Sequence, residues 1–329
     1  MSEKNVAILG ATGAVGHEML RILYERNFPI AGLKLLSSSR SAGNVVTTPF
    51  GEITVAEASD SAFQGMDIIL GAVDNETSRK FAPAIRSAGA IYVDNSSAFR
   101  LDDDVPLVIP EINPEDARKH KGIIANPNCS TIITLVAVNG LRMLSEIKAI
   151  YASTYQAVSG AGAGGPIEMF DQTKAVLECG NIESKVFQHQ IAFNLIPQIG
   201  SFTDNGYSTE EMKLQNEGRK IMHLPNLHVS CTCVRVPVER SHSISADVIT
   251  AEPIDLEDAI KAMGSSPGCK LMDGESYPMP IDTSGQDSVY IGRIRRDLVN
   301  DCGINLFCCG DQLRKGAATN AVQIAELLL

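Results

Sequence analysis

The sequence has no tryptophan and only 5% aromatic residues in 329. It contains no apolar run near the ~18 residues that a membrane-spanning helix needs, which argues against a membrane. The N-terminus shows neither the basic region nor the apolar region of a secretory signal, so we expect a cytoplasmic protein. Positive charge is scarce as well, because 28 Lys and Arg face 39 Asp and Glu, giving a formal net charge of −11. That balance argues against nucleic acid as a partner.

The eight cysteines include no CxxC pair. No histidine cluster at zinc spacing accompanies them either, so we expect no metal site. Cys231 and Cys233, like Cys308 and Cys309, lie in alternating apolar stretches and are interpreted as buried strand thiols. Reduced thiols, rather than a disulfide framework, are the expectation for this chain.

Residues 5–128 alternate short apolar runs with helical patterns, which predicts right-handed crossovers and a parallel sheet. The predicted strands are Asn5–Leu9, Leu33–Ser37, Asp67–Ala72 and Ala90–Asp94, and the predicted helices are Val15–Arg26 and Glu76–Ser87. From Ala149 the strands become longer and crossovers fewer, which predicts an α+β domain with a mixed sheet. We therefore expect an α/β protein with a Rossmann-like domain, residues 1–128 plus 312–329, and a second domain, residues 129–311.

The first predicted strand runs into a glycine-rich turn and then a helix. The turn consists of Gly10, Ala11, Thr12, Gly13, Ala14, Val15 and Gly16. Glycines at such a turn allow the backbone to approach a pyrophosphate, which then lies at the helix N-terminus. The strand–turn–helix context favours nucleotide binding over a turn selected for packing alone.

The end of the second predicted strand indicates which nucleotide binds. NAD sites usually have an Asp or Glu there to hold the ribose 2′-hydroxyl. This chain has Ser37, Ser38, Ser39 and Arg40 instead, and hydroxyls with a guanidinium suit a 2′-phosphate. The pattern predicts NADP, and a polar solvated loop is the alternative.

A cysteine follows a proline-stiffened turn at Asn126-Pro127-Asn128-Cys129, just before an apolar helical pattern from Thr131 to Leu144. A thiol at a helix N-terminus meets unpaired N–H groups and the helix dipole, which favour a thiolate. Cys129 is therefore the candidate nucleophile. Taken alone, it is also compatible with a buried structural thiol.

Over nearly its whole length the sequence resembles the aspartate-semialdehyde dehydrogenase family. The resemblance depends on the glycine turn, Asn95–Arg100, Pro127–Thr131, Gln156–Gly162, Arg235 to Val238 with His242, and Leu313 to Val322. It implies an NADPH-dependent reduction of 4-phospho-L-aspartate to L-aspartate 4-semialdehyde with release of phosphate. That reaction serves the biosynthesis of lysine and diaminopimelate, threonine, methionine and isoleucine. It also implies a catalytic and dimerising second domain, with homodimers most common.

The resemblance assigns a role to each matching residue. It implies Cys129 as the nucleophile that forms a thioester, His242 as acid/base, and Gln156 as the group that orients the thiol. The substrate contacts that it implies are Arg235 for the carboxylate, Glu217 for the ammonium, Arg100 and Lys220 for phosphate, and Asn128. It places Ser159 and Gly160 in a glycine-rich loop over the nicotinamide, and Lys315 and Asn320 beside the cofactor. Without the family, Glu217 and Lys220 are an ordinary i,i+3 ion pair.

One departure from the family is Ile133, where glutamine is frequent, and we expect it to alter packing behind the thiol. An N-acetyl-glutamyl-phosphate reductase is the alternative enzyme, and a nucleotide-binding redox sensor built on Cys129 is the non-enzymatic alternative. The sensor needs neither Arg235 nor His242, so the retained polar positions favour an enzyme.

Overall fold

The computed structural model describes residues 3–272 and 274–329 and divides the chain into two compact units. The first unit comprises Met1–Asn128 and Ala317–Leu329, and the second comprises Cys129–Gly316. None of the described helices has the length and apolar character that a membrane crossing needs.

The first unit is a Rossmann-like α/β layer structure. Its elements up to residue 128 are β1 (Lys4–Leu9), α1 (Ala14–Glu25), β2 (Ile30–Ser37), β3 (Val45–Thr48), β4 (Gly51–Thr54), β5 (Ala56–Glu57), β6 (Ile68–Gly71), α2 (Asn75–Ser87), β7 (Ile91–Asp94) and β8 (Ile123–Ala125), with 3-10 turns at Asp60–Phe63 and Pro114–Lys119. Six strands form a parallel sheet in the order β5-β2-β1-β6-β7-β8. The parallel sheet that the sequence predicts is confirmed.

Local sequence explains where these elements begin. Every residue of β6 is buried, as expected for a central parallel strand covered on both faces. Helix α2 begins after Asp74, whose carboxylate accepts a hydrogen bond from the N–H of Thr77. That backbone hydrogen bond also lowers the pKa of Asp74 below its ordinary value. The hairpin of β3 and β4 and the short strand β5 were absent from the sequence prediction.

The second unit contains a six-stranded mixed sheet. Its elements are α3 (Cys129–Val138), β9 (Ile147–Gln156), α4 (Gly164–Leu177), α5 (Thr209–Met222), β10 (His228–Arg235), β11 (His242–Thr250), α6 (Leu256–Gly264), β12 (Cys269–Leu271), α7 (Pro280–Thr283), β13 (Val289–Arg296) and β14 (Gly303–Gly310), with 3-10 turns at Asn139–Met143 and Val158–Ala161. The strand order is β10-β9-β11-β14-β13-β12. The outer pairs are parallel and the inner pairs antiparallel, so the predicted mixed sheet is confirmed.

Two helical predictions differ from the structure. The helix predicted to end at Leu144 ends at Val138 and continues only as a 3-10 turn, Asn139–Met143. The glycine-rich segment is not a plain loop, because it contains the turn Val158–Ala161 and the start of α4 at Gly164. Pro166 in the first turn of α4 favours a helix start.

The last helix, α8 (Thr319–Glu326), belongs to the first unit. Val322 and Ile324 are fully buried in the same cluster as Ile8 and Ile22, so apolar burial holds the tail there. Residues 312–316, which the sequence analysis grouped with the nucleotide-binding domain, lie in the second unit. There Arg314 Nε donates to Asp287 Oδ1 at 2.9 Å.

Candidate active site

The candidate nucleophile begins α3, because Cys129 is the first residue of that helix. Its sulfur lies 3.4 Å from Nε2 of His242, the first residue of β11. The thiol is partly exposed, while His242 has no exposed surface. Both residues belong to the second unit, in which the start of α3 lies next to the start of β11.

The tautomer of His242 follows from its second nitrogen. Nδ1 accepts a 3.1 Å hydrogen bond from the backbone N–H of Ala157, so the proton of the neutral ring is on Nε2 and faces Cys129. Burial, assisted by the positive charge of Arg235, lowers the pKa of His242 to about 3. The ring is therefore neutral at physiological pH and acts toward the sulfur as a hydrogen-bond donor.

Arg235 ends β10 close to the same group. One guanidinium nitrogen donates to the carbonyl of Ala157 at 2.7 Å, and the group lies 5.8 Å from the ring centroid of Phe187. A Cβ at position 160 would lie 3.0 Å from a guanidinium nitrogen and 3.2 Å from Cε1 of His242, so a larger residue would require these side chains to shift. Burial lowers the pKa of Arg235, but the guanidinium stays charged near neutral pH.

Gln156 ends β9 and is buried. Its amide nitrogen donates to Ser130 Oγ at 2.6 Å and to Glu210 Oε1 at 3.3 Å. Ser130 follows Cys129 in the chain, so the amide fixes the first turn of α3. The same amide connects that turn to a buried carboxylate.

That carboxylate, Glu210, is a further functional candidate beside Glu217. It lies in the first turn of α5 and is 8% exposed. It forms an ion pair with Lys213 at 2.8 Å. Its negative charge acts on both Arg235 and His242. A carboxylate that is buried beside a guanidinium can bind a cationic substrate group.

The resemblance implies Glu217 for the substrate ammonium and Lys220 for phosphate, and both roles stay predictions. Glu217 is buried in the same helix, seven residues beyond Glu210, which is about 10 Å along the axis. Glu210 and Lys213 have the same i,i+3 spacing, so spacing alone could not separate the two pairs.

Hydrogen bonds also hold the residue before the histidine. Ser241 has the left-handed φ of 74°, uncommon for a non-glycine residue. Its N–H donates to Gln312 Oε1 at 2.9 Å, and its hydroxyl lies 2.6 Å from that of Thr283. Gln312 also donates to Ser159 Oγ at 2.5 Å. These contacts fix the start of β11 and hence the ring of His242.

Three other predicted site residues, Arg100, Asn128 and Asn320, lie in the first unit, and Lys315 lies in the second. Arg100 is 7% exposed, and its guanidinium donates to the carbonyls of Asn126 at 2.9 Å and Asn95 at 2.7 Å. Asn320, fully buried in α8, donates to Asn126 Oδ1 at 2.6 Å. Asn128 and Lys315 are buried.

A nucleotide cavity of about 540 Å³ lies at the carboxyl ends of β1, β2 and β6. Its lining residues are Leu9, Gly10, Thr12, Gly13, Ser37, Ser38, Ser39, Glu57, Ala58, Ala72, Val73, Asp74, Thr77, Lys80 and Phe81. Open α/β sheets bind nucleotides at this edge. Gly10 has a φ of 89°, and a Cβ there would lie 2.3 Å from the carbonyl of Ala72, so the tight turn needs glycine.

Two details of the nucleotide cavity differ from the sequence analysis. Glu57 of β5 brings a carboxylate next to the three serines, although no acid ends β2 itself. Arg40 follows the lining serines and is exposed. Thr12 and Ser37 are linked by a 2.9 Å hydroxyl contact. The serine hydroxyls, rather than Arg40, line the cavity.

A parallel nucleotide-binding sheet in one unit and a thiol–imidazole pair in the other define a thiol-dependent, nicotinamide-linked dehydrogenase. Family models agree with that class: residues 5–120 match "Semialdehyde dehydrogenase, NAD binding domain" and residues 138–315 match "Semialdehyde dehydrogenase, dimerisation domain". The chain belongs to the aspartate-semialdehyde dehydrogenase family.

Relatives of that name cover almost the entire chain. The one from Synechocystis sp. is 48% identical over 327 residues, covering 98% of this chain and 97% of the relative. The one from Bacillus subtilis is 47% identical over 335 residues, covering 98% and 97%. The crystal structure of aspartate semialdehyde dehydrogenase II from Vibrio cholerae, complexed with ASA, has a TM-score of 0.98 at 45% identity and covers 100% and 98%.

Proposed function

We propose that this chain catalyses the NADPH-dependent reductive dephosphorylation of 4-phospho-L-aspartate to L-aspartate 4-semialdehyde, together with the reverse phosphorylating oxidation. The observation that carries the proposal is the Cys129–His242 pair, at 3.4 Å, in a chain that matches this family end to end. The relative whose structure contains ASA supports the choice of substrate. The product would enter lysine, threonine, methionine and isoleucine biosynthesis.

In the reducing direction the thiolate of Cys129 attacks the acyl carbon of the acyl phosphate. Phosphate leaves as the C–O bond breaks, and a thioester forms on the sulfur. The Nε2–H of His242 stabilises the thiolate and the oxyanion of the tetrahedral species. The nicotinamide cofactor, when bound, supplies the hydride that reduces the thioester carbon. Expulsion of the Cys129 thiolate then releases the aldehyde.

The resemblance implies an acid/base role for His242, and the hydrogen bond from Ala157 supports a narrower one. With Nδ1 accepting from Ala157, a second ring proton would have to displace that hydrogen bond. The low pKa of about 3 opposes the imidazolium as well. We propose that the ring serves mainly as a neutral donor to the sulfur and to the reacting oxygen.

We assign the α-carboxylate and the α-ammonium of the substrate to buried charged side chains. Arg235, whose fork can bind a carboxylate through two parallel hydrogen bonds, is proposed to hold the α-carboxylate. Glu210, which is buried and interacts with Gln156, is proposed to hold the α-ammonium, and Glu217, which is also buried, is the alternative that the resemblance implies. Lys213 joins Arg100 and Lys220 as a candidate for binding phosphate.

The match to a nicotinamide-binding domain shows the cofactor class, and we propose NADP as the form used. The hydroxyls of Ser37, Ser38 and Ser39 support it, while Glu57 is the lining group that would oppose a 2′-phosphate. The match to a dimerisation domain supports a homodimer formed through the second unit. Eight free cysteines suit a reducing compartment, and we propose the cytoplasm.

The test uses purified protein, NADP and L-aspartate semialdehyde, with and without inorganic phosphate, and records NADPH absorbance. Cys129→Ala should remove all phosphate-dependent turnover. Cys179→Ala, which replaces an exposed cysteine, is the matched control and should retain it. Turnover with N-acetyl-glutamate semialdehyde instead, or turnover that survives Cys129→Ala, would overturn the proposal.

A further inference from the structure

The first unit has a second cavity, of about 730 Å³, at the sheet edge opposite the nucleotide cavity. Ile91 and Ile123, the first residues of β7 and β8, line it, so it lies at the amino ends of those strands. The nucleotide cavity lies at the carboxyl ends, among Leu9 and Ala72. No part of the proposed reaction uses this second cavity.

Its polar lining is cationic. Arg79, Arg86, His120 and Lys121 line the cavity, and its described lining includes no Asp or Glu. This lining contrasts with the formal net charge of −11 of the whole chain. Such a cluster raises the local concentration of anions and favours their binding.

Among the described residues, carboxylates neutralise these cations only weakly. Within residues 3–272 and 274–329, the structure shows no carboxylate paired with Arg86. Lys121 has only an exposed contact of 3.8 Å with Asp104, the type of pair that contributes little. Arg79 donates to a backbone carbonyl, that of Ala98, which leaves its charge uncompensated.

His120 adds a neutral donor. Its Nδ1 accepts a 3.1 Å hydrogen bond from the N–H of Gly122, so the ring proton is on Nε2. Burial lowers the pKa of His120, which keeps the ring neutral near pH 7. An oxyanion in the cavity would therefore meet guanidinium, ammonium and imidazole N–H donors.

The floor of the cavity is apolar. Ala82, Phe99 and Ile123 are buried lining residues, and the guanidinium of Arg79 lies 5.2 Å from the ring centroid of Phe99. A cation stacked on an aromatic ring is held in place for binding. A ligand with an anionic group at the arginines and a flat apolar body on this floor would complement both the charged and the apolar lining of the cavity.

We propose that this cavity, defined by Arg79, Arg86, His120 and Lys121 above Phe99, is a second ligand site that binds a small organic anion with a flat apolar body. A ligand bound in this cavity would affect the adjacent segment of the same chain, because Arg79 donates to the carbonyl of Ala98 and stacks on Phe99. The next residue, Arg100, is anchored to Asn95 and Asn126. Binding should therefore order residues 95–100.

The experiment measures binding of phenyl phosphate to the full-length protein by calorimetry, with inorganic phosphate and phenol as partial probes. Phenyl phosphate should bind more tightly than either, and saturating NADP should not displace it. Arg86→Gln and Lys121→Gln should each weaken binding, the first by at least about tenfold. The matched control is Arg118→Gln, which removes an exposed arginine paired with Glu115 on the same unit.

Hydrogen exchange supplies the second readout. Phenyl phosphate should slow exchange at residues 95–100 in the unmodified protein and not in Arg86→Gln. The proposal is overturned if phenyl phosphate fails to bind at millimolar concentration, if NADP displaces it, or if Arg118→Gln weakens it as much as Arg86→Gln. None of these outcomes depends on dehydrogenase activity, so the proposed reaction can fail or stand separately.

Discussion

The sulfur of Cys129 faces the protonated nitrogen of His242 at 3.4 Å, so the pair consists of a thiol group and a neutral hydrogen-bond donor. A donor in this position stabilises a thiolate without a full positive charge. Burial makes this arrangement necessary, because an imidazolium at a fully buried position is expensive. Nucleophile activation therefore depends on one hydrogen bond and on the helix that begins at Cys129.

Replacing the histidine should expose that dependence. We expect His242→Ala to lower kcat by about 10²- to 10⁴-fold, because the donor to the sulfur and to the oxyanion is lost. Alkylation of Cys129 by iodoacetamide at pH 7 should slow in parallel, since less thiolate is present. His242→Gln, which restores a donor, should recover part of both. Normal alkylation with lost turnover would mean that the ring acts only after the thioester forms.

Acid should destabilise the protein through the same ring. Unfolded histidine titrates near 6.5, whereas His242 in the folded chain titrates at about 3, its pKa lowered by burial. Between these values the unfolded state binds more protons, so the free energy of unfolding falls as pH falls through this window. One such group contributes a slope of at most about 1.4 kcal/mol per pH unit.

Urea unfolding between pH 7 and pH 4.5 measures this slope. The dependence on pH should be shallower in His242→Gln than in the unmodified protein, even though the variant is less stable overall. Parallel curves for the two proteins would show that His242 does not titrate differently in the folded and unfolded states.

The sequence predicted four of the six strands of the parallel sheet, β1, β2, β6 and β7, because parallel strands are buried on both faces and are marked by short apolar runs. The three-residue β8 was not predicted, although it is buried. Edge elements lacked that signal. The hairpin of β3 and β4 and the two-residue β5 are largely exposed, so apolar periodicity does not mark them. Glu57, which lines the nucleotide cavity, lies on one of those unmarked strands.

The position of a candidate site residue could be predicted where the local sequence determines the secondary structure around it. Cys129 follows turn residues and precedes an apolar helix, and its position at a helix start is confirmed. The choice between Glu210 and Glu217 was not local, because both precede a lysine by three residues. The contact of Glu210 with Gln156, 54 positions away in sequence, makes Glu210 a candidate, and such contacts arise only from the packed fold.

Two glycines of the nucleotide turn should respond differently to substitution. Gly10→Ala should destabilise the first unit, because a Cβ would lie 2.3 Å from the carbonyl of Ala72 at a φ of 89°. At Gly13 the nearest heavy atom, the carbonyl oxygen of Gly10, is 3.4 Å from the added Cβ, an ordinary contact. Gly13→Ala should therefore fold with a nearly unchanged Tm and bind NADP poorly, because the new methyl faces the space that the pyrophosphate needs.

Thermal unfolding and fluorescence titration with NADPH separate the two effects. A Gly13→Ala variant that binds NADPH like the unmodified protein would place the pyrophosphate elsewhere. A Gly10→Ala variant with unchanged Tm would show that the turn can relax around a methyl group.

A carboxyl pair in the second unit should make stability depend on pH in the opposite sense. Burial and a hydrogen bond with Asp297 raise the pKa of Asp247 to about 6. The folded state then binds more protons than the unfolded state between about pH 4 and pH 6, so this group lowers stability as pH rises through that range. Asp247→Asn should raise Tm at pH 8 and change it little at pH 4. Asn305, which donates to Asp247 at 3.2 Å, can pair with the new amide through its own oxygen.

Asp258→Asn, on the exposed first turn of α6, is the control for removing one negative charge, and it should show no such dependence on pH. Equal gains in Tm for Asp247→Asn at pH 4 and pH 8 would contradict a raised pKa and point to general charge repulsion instead.

The two glutamates of α5 give the sharpest test of the substrate orientation. Glu210→Gln removes a buried charge next to Gln156 and Arg235, and we expect kcat/KM for L-aspartate semialdehyde to fall by about 10- to 150-fold. Because the carboxylate is proposed to hold the ammonium in ground and transition states alike, most of the loss should appear in KM. Glu217→Gln, an equal change two helical turns further on, should alter Tm more than KM. A KM effect confined to Glu217→Gln would return the ammonium site to the residue that the sequence suggested.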